Sequence, residues 1–441
     1  MRIDQLALKH FKGFEDRELS FHPEFNLLVG RNGTGKTGAL DALAVAVSSW
    51  FWGIGGDNPR HIRPNEVRGN FQHHEEIDDQ GQRHVSVNWE YLYPCEVTAR
   101  GEVQGESISW LEALKGPESH VTHEGATPIL ELASAAGTAV REGKEVFLPL
   151  ISYYGTERLC QGPESFRVTD LTRLFDKEGQ SRLAGYGNSI DPRLSVDQLI
   201  HWIVRQSWIA YQRKGRASPV FEAVKKAIVG CLEGASNLDF DAVIGEVVIE
   251  MEDETQPFSN LSDGQRSTAA LVGDMAQRAA RLNPHYGGAV LQQTSGVVLI
   301  DELDLHLHPR WQRRIIEDLR RTFPKIQFIC TTHSPFLIQS LRSGEELLML
   351  DGQPTANVAN LPVEEIAQGI MGIPNPQVSM RYEEMTGAAR HYFEELEAAA
   401  KAPEEKLAEY KVRLAETIAP YADNPAFQAF LEMKRAAKLG E

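Results

Sequence analysis

The sequence predicts an α/β fold: a mixed sheet carrying a phosphate-binding loop, joined to an antiparallel lobe, a helical insertion and a helical C-terminal extension. Three observations predict it. Gly30-Arg31-Asn32-Gly33-Thr34-Gly35-Lys36-Thr37 fits G-x-x-x-x-G-K-[ST]. The apolar run Phe25–Val29 reads as a buried strand entering that loop. Gly38–Val47 reads as a helix whose N-terminus meets the bound anion.

The chemistry of the loop follows from its residue types. Glycines allow a tight turn whose backbone N–H groups face one anion, Lys36 reaches the β- and γ-phosphates, and the Thr37 hydroxyl sits on Mg²⁺. A nucleoside triphosphate with Mg²⁺ is therefore the expected ligand. The loop alone does not separate a kinase, a GTPase, a transporter motor and a DNA-repair ATPase.

The remaining elements follow in chain order. Residues 2–29 read as two strands with a turn at Lys12-Gly13. Residues 60–120 are polar with alternating runs such as His84–Trp89, which suggests an antiparallel layer. Residues 126–142 read as a helix and Glu145–Tyr154 as a further buried strand. From about 162 to 255 the pattern is mostly helical, clearest at Val196–Arg213 and Pro219–Leu232, with strand-like Gly245–Met251 at its end. Beyond 360 the chain is helical and charged, from Met380 through Lys438. The expected domains are an ATPase core over 1–160 and 256–350, a mainly helical lobe over 161–255, and a helical extension over 360–441.

Composition bounds the function. The 441 residues carry 45 Lys+Arg against 62 Asp+Glu, a net charge of −17, which argues against a surface that coats nucleic acid nonspecifically. Cys95, Cys160, Cys231 and Cys330 are scattered without metal-ligand spacing, so buried thiols in a reducing cytoplasm are expected. No apolar run reaches about 18 residues, so no membrane span is expected, and Met1–His10 lacks the apolar core of a secretory signal.

Four further segments narrow the answer. In Asn260–Arg266, Ser262, Gly264 and Gln265 open a helix and offer a second anion site; an ordinary helix cap is the alternative. Gly296–Ile300 reads as a buried strand ending in Asp301 and Glu302. Asp301 suits Mg²⁺, and Glu302 suits the orientation and deprotonation of a water. In Asp304–Pro309 the histidines His306 and His308 lack a third metal ligand, and Pro309 begins a helix. Its Trp311, Ile315, Leu319 and Phe323 recur as a core stripe, and Arg310, Arg313, Arg314, Arg320 and Arg321 line the other face, read as solvated, with a DNA or partner contact as the alternative. Ile326–Pro335 holds another buried strand, ending in Thr331-Thr332-His333-Ser334, and a histidine at a strand end beside a phosphate loop can sense or stabilise the γ-phosphate.

The order of these motifs resembles the grammar of ABC-type ATPase heads. Leu6–Phe14, Asp301–Pro309 and Thr331–Pro335 are similar to the opening motif, the Walker B and D-loop, and the His switch of the SMC, RecF and OLD branch. The resemblance implies a head-to-tail dimer, or a higher assembly, in which ATP is sandwiched between Gly30–Thr37 of one chain and Ser262, Gly264 and Gln265 of the other. It implies Glu302 as the catalytic base and His333 as the γ-phosphate switch. Asp263 stands where that family more often has glycine, and Tyr153–Arg158 occupies the Q-loop region without a glutamine.

About 225 residues separate Thr37 from Ser262 and carry no sustained heptads, so no long coiled-coil arm is expected. The roughly 106 residues after Pro335 show no strand-bound acidic cluster of the kind a two-metal nuclease needs, so no cutting activity of its own is expected. Tyr153–Leu159, Ser181–Tyr186 and Asn424–Arg435 resemble the PtuA-type ATPases of Septu and retron-associated anti-phage systems. That resemblance implies an HNH-type nuclease partner, with the ATPase as sensor and scaffold and the helices after 380 as a candidate docking surface; a helical cap on the ATPase sheet is the alternative for those helices. The competing reading is a RecF-like repair ATPase acting directly on DNA.

Overall fold

The computed structural model describes residues 1–55, 59–77, 83–118, 124–158, 181–193, 196–252, 254–352, 361–421 and 423–439, with backbone alone for 72–77, 83–88, 404 and 405. Cys160, Leu159 and residues 161–180 of the expected helical lobe lie outside the described residues. The chain forms two compact units, Met1–Ile366 and Ala367–Glu441.

Unit 1 begins with β1 (Arg2–Phe11), β2 (Phe14–Ser20) and β3 (Phe25–Val29). The segment expected as two strands is thus three. The break at Phe21–Glu24 lets β3 leave the antiparallel sheet of β1 and β2 and join a parallel one. α1 (Lys36–Ile54) follows the phosphate loop. It is apolar all round and buried along nearly its whole length, against both sheets and α2. By length and composition it could cross a bilayer, yet it is the central helix of this unit. Replacing a fully buried residue such as Leu43 by alanine would cost about 2–5 kcal/mol.

β4 (Gly69–Ile77) and β5 (Arg83–Tyr91) make a two-stranded ribbon. β6 (Cys95–Val103) and β7 (Glu106–Leu114) complete a four-stranded antiparallel sheet in the order β2-β1-β6-β7. α2 (Thr127–Arg141) packs on α1. β8 (Leu150–Tyr154) enters the parallel sheet. The strand expected from Glu145 begins only at Leu150, where pairing with Gly296 starts.

α3 (Val196–Gln212) and α4 (Pro219–Cys231) follow, touching through the Trp202 and Phe221 rings, whose centroids are 5.7 Å apart. They are followed by a three-stranded antiparallel sheet of β9 (Ala235–Asp241), β10 (Glu246–Met251) and β11 (Thr255–Pro257). The lobe expected to be mainly helical therefore ends in a small sheet. α5 (Asp263–Leu282) packs against α3, α4 and β8.

α6 (Val290–Gln293) leads to β12 (Gly296–Ile300). The helix expected from Pro309 is divided at Arg313–Arg314 into α7 (Pro309–Gln312) and α8 (Ile315–Thr322). Ile315, Leu319 and Phe323 are buried as the periodicity requires. Arg320 is not on a solvated face. It is buried and paired with Glu346 at 2.6 Å and Glu317 at 2.8 Å, as a buried charge must be. β13 (Ile326–Thr331), α9 (Pro335–Gln339) and β14 (Leu347–Met349) close the parallel sheet, ordered β14-β3-β13-β12-β8. β3, β8, β12 and β13 are buried throughout, which explains their near-continuous apolar runs. α10 (Val363–Gly369) runs through the division between the units.

Unit 2 contains α11 (Met380–Ala399), α12 (Glu404–Ile418) and α13 (Pro425–Leu439). Tyr392, Leu396, Leu414, Ile418 and Leu431 form its core. Cys95, Cys231 and Cys330 are free thiols, all buried.

Candidate functional site

The loop after β3, the turn after β12 and the end of β13 are neighbours because β3-β13-β12 are consecutive in the parallel sheet. Their C-terminal ends open on a cavity of about 480 Å³. Asn32, Gly33, Gly35, Lys36, Thr37, Asp301, Glu302, Thr331 and His333 line it. Gly30 and Thr34 belong to the same loop without lining the cavity. Gly33 (φ 85°) and Gly35 (φ 96°) hold the left-handed conformations the turn requires. A Cβ on Gly35 would also lie 2.7 Å from the Phe14 ring.

Polar contacts set the cavity floor. Lys36 Nζ donates to the carbonyls of Gly30 at 2.7 Å and Arg31 at 3.1 Å. Burial pushes the Lys36 ammonium below the usual lysine range, while Asp351, Asp301 and Glu302 oppose the shift. The Thr37 hydroxyl donates to Asp301 Oδ2 at 3.0 Å, and the Thr331 hydroxyl donates to Asp301 Oδ1 at 2.5 Å. Thr332 Oγ1 and the His333 N–H both donate to Asp304 Oδ1, at 2.5 and 3.4 Å. Glu302 has φ 49°, uncommon for a residue with a side chain. Its N–H donates to Thr331 Oγ1 at 2.7 Å.

These residues fit a Mg²⁺-nucleotide. Loop amides and an ammonium supply donors for phosphate, and a hydroxyl beside a carboxylate supplies the oxygen ligands that Mg²⁺ takes. Among the described residues, no group of three or more His, Cys, Asp or Glu forms a separate metal cluster. His308 Nδ1 instead accepts from the Arg310 N–H and caps α7.

Ser262, Gly264 and Gln265 do not line this cavity. Ser262 is the N-cap of α5. Its hydroxyl accepts from the Gln265 N–H at 3.4 Å and donates to Gln265 Oε1 at 2.9 Å, and its own N–H donates to the same Oε1 at 3.1 Å. This is a capping box. Asp263 pairs with Arg266. Gly264 packs so closely on the turn after the acids that a Cβ would lie 2.7 Å from the His306 carbonyl.

Two contributors were not singled out in the sequence. Arg158, where a Q-loop glutamine would be sought, is buried. It donates from Nη1 to the Asp301 carbonyl at 2.7 Å and the Gly155 carbonyl at 3.0 Å, and from Nη2 to the Glu302 carbonyl at 2.7 Å. Asp351, just past β14, accepts from the Arg31 N–H at 3.0 Å and so steadies the phosphate loop. A buried network continues from β8. The Tyr154 hydroxyl donates to Asp274 Oδ2 on α5 at 2.7 Å, and Arg278 Nε donates to the same oxygen at 2.6 Å. Arg278 Nη1 also reaches the Gly185 and Gly187 carbonyls, at 3.1 and 2.8 Å.

A parallel sheet opening on a phosphate loop, an Asp-Glu pair and a histidine, with an antiparallel lobe and a separate LSDGQ helix, defines a P-loop ATPase head. The comparisons agree. Residues 5–201 match the family described as "AAA domain", and residues 226–339 match "AAA domain, putative AbiEii toxin, Type IV TA system". The Retron Vc95 probable ATPase of Vibrio cholerae is 49% identical over 396 residues, spanning 78% of this chain and 72% of the relative. The chain belongs to that retron ATPase family. The Retron Ec83 probable ATPase of Escherichia coli is 24% identical over 80% of this chain and 72% of its own length. The Septu protein PtuA of Bacillus thuringiensis is 23% identical over 90% of both chains.

Proposed function

We propose that this chain is the nucleotide-switched subunit of an anti-phage defence complex that controls an HNH-type nuclease. The loop amides and Lys36 would hold the phosphates, and Thr37 and Asp301 would hold Mg²⁺, which would supply charge neutralisation for phosphoryl transfer. Glu302 orients the attacking water and accepts its proton, and His333 contacts the γ-phosphate. Hydrolysis belongs to this chain and DNA cutting to the partner, in the cytoplasm.

The observation that carries the reading is the split placement of the motifs. Lys36, Thr37, Asp301, Glu302 and His333 share one cavity, while Ser262, Gly264 and Gln265 sit apart at the N-terminus of α5. That separation supports a head-to-tail pair in which the α5 end of one chain completes the neighbour's site. The domain division proposed is a core of 1–160 and 256–350, an inserted lobe of 161–255 and an extension of 360–441. The extension serves as docking surface, supported by exposed Met380, Phe430 and Met433. The retron and Septu names of the relatives support the defence setting.

The test is co-expression with the adjacent reading frame, isolation of any complex and assay of plasmid cleavage with and without ATP. A stable complex that cuts in a nucleotide-dependent manner is expected. A lone chain whose ATPase rises on addition of DNA would replace this reading with the repair one.

A further inference from the structure

The chain is strongly acidic, yet no aspartate or glutamate occurs between Asp197 and Glu222. That stretch holds Arg205, Arg213, Lys214 and Arg216 and forms the α3–α4 corner. Its buried side grips α5, since a Cβ on Gly273 would meet Leu199 at 2.6 Å and Ile228 at 3.1 Å. At the corner Lys214 (φ 58°) and Gly215 (φ 79°) turn the chain back, and Ser218 caps α4.

Two features of this corner are unexplained by folding. The first is a cavity of about 410 Å³ whose lining, among the described residues, includes Arg182, Arg205 and Arg281 and no carboxylate. Arg182 spends its donors on the carbonyls of Leu282, Lys144 and Val146. Arg205 and Arg281 make no ion pair with any described residue. Burial pushes the Arg281 guanidinium down, and Arg278 and Arg205 push it further. Half-buried guanidinium groups of one sign are stabilised by an anion.

The second feature is a pair of exposed rings on the same helix. Trp208 is 49% and Tyr211 76% exposed, with centroids 6.0 Å apart and planes 31° from each other. Spacing of 205, 208 and 211 places Arg205 and both rings on adjoining strips of α3. An isolated soluble chain gains nothing by holding two large rings in water.

We infer that the α3–α4 corner is a binding site for single-stranded nucleic acid, with phosphates against Arg205 and Arg281 and unpaired bases stacked on Trp208 and Tyr211. Cations that follow a backbone beside aromatic platforms are how proteins hold unpaired strands. A duplex offers the phosphates but not the base faces. A lipid surface would want a continuous apolar face. Here, from 205 to 218, the exposed residues besides the two rings are Gln212, Arg213, Lys214, Gly215 and Arg216. The site does not depend on the nucleotide cavity, so it stands or falls apart from the function proposed above.

The test is fluorescence anisotropy of a labelled 20-nucleotide oligo-dT and of a matched duplex, using the full chain without nucleotide. The single strand binds more tightly than the duplex, and Lys36→Ala leaves this unchanged. Trp208→Ala with Tyr211→Ala weakens single-strand binding at least about tenfold. Lys214→Glu with Arg216→Glu, both exposed, flattens the dependence of log affinity on log salt by about 1.4, roughly 0.7 for each lost phosphate contact. Circular dichroism and melting confirm that each variant is folded. Variants that bind like the wild type within twofold would overturn the site. So would equal affinity for duplex and single strand, or binding only to phosphatidylserine vesicles with oligo-dT ignored.

Discussion

Arg158 Nη2 lies 2.7 Å from the carbonyl oxygen of Glu302, and its Nη1 lies 2.7 Å from that of Asp301. One buried guanidinium therefore fixes the backbone that aims both acids, and it does so where Glu302 adopts a left-handed φ. Arg158 is a positioning residue. Arg158→Lys cannot bridge both carbonyls. Misplacement of about 1 Å can cost on the order of a hundredfold in rate. The expected result is a kcat lowered about that much with nucleotide affinity kept within a few-fold. Steady-state ATPase assays beside nucleotide titration read the split, and a matching loss in both would mean that Arg158 only supports the fold.

Lys36→Ala is expected to remove the cation that the cavity offers to the phosphates. Nucleotide affinity falls at least a hundredfold, roughly 2.8 kcal/mol. Calorimetric titration with ATP and Mg²⁺ measures it. Tight binding retained by the variant would refute the loop assignment.

Glu302→Gln keeps the shape of the turn and removes the proton acceptor. ATP-bound chains then accumulate as a dimer, because the bound nucleotide stabilises the paired state by mass action. Light scattering after size exclusion, with and without ATP, distinguishes this from a monomer that ignores nucleotide.

Gly264→Ala tests the joint between α5 and the turn after the acids. The added methyl would lie 2.7 Å from the His306 carbonyl, a backbone atom that cannot swing aside. A loss of about 1–3 kcal/mol in stability is expected. Ser262→Ala removes the cap and costs about 1 kcal/mol. Denaturant unfolding of both variants gives the comparison.

Glu112, buried on β7, accepts from the Ser49 hydroxyl at 2.8 Å. Burial pushes its carboxyl up to about 8 from the ordinary 4.5. The folded state thus holds a proton that the unfolded chain releases. This stabilisation is full below about pH 4.5 and is lost as pH rises through about 8. Glu112→Gln, neutral at every pH, is expected to unfold at higher denaturant than the wild type at pH 8.5 and to lose the advantage near pH 5.

The phosphate loop, the Asp301-Glu302 pair and His333 were legible because each ends a buried parallel strand, whose continuous apolar run is easy to see. Arg158 and Asp351 were not. Each works through the backbone of a distant segment, and a hydrogen bond to a carbonyl or amide leaves no pattern at either end. The strands β9–β11 were partly hidden because a small, half-exposed sheet has short alternations that resemble loop. Arg320 looked solvated because its partner Glu346 is far along the chain.

The attachment of α5 has a mechanical meaning. Tyr154 and Arg278 hold Asp274 near the helix's middle, like a pin through a beam. From Asp263 to Asp274 the beam runs 274 − 263 = 11 residues, roughly 16 Å, so a tilt of about 5° at the pin carries the Ser262 end by roughly 1.5 Å. That is enough to make or break a hydrogen bond. The pin and the clamp on the acid turn sit on the same stretch of chain, Leu150–Arg158, which acts as a fulcrum. In the head-to-tail pair proposed above, a small shift beneath one nucleotide would become a larger stroke at the α5 end that meets the next chain, provided the Gly264 contact with the acid turn moves with it.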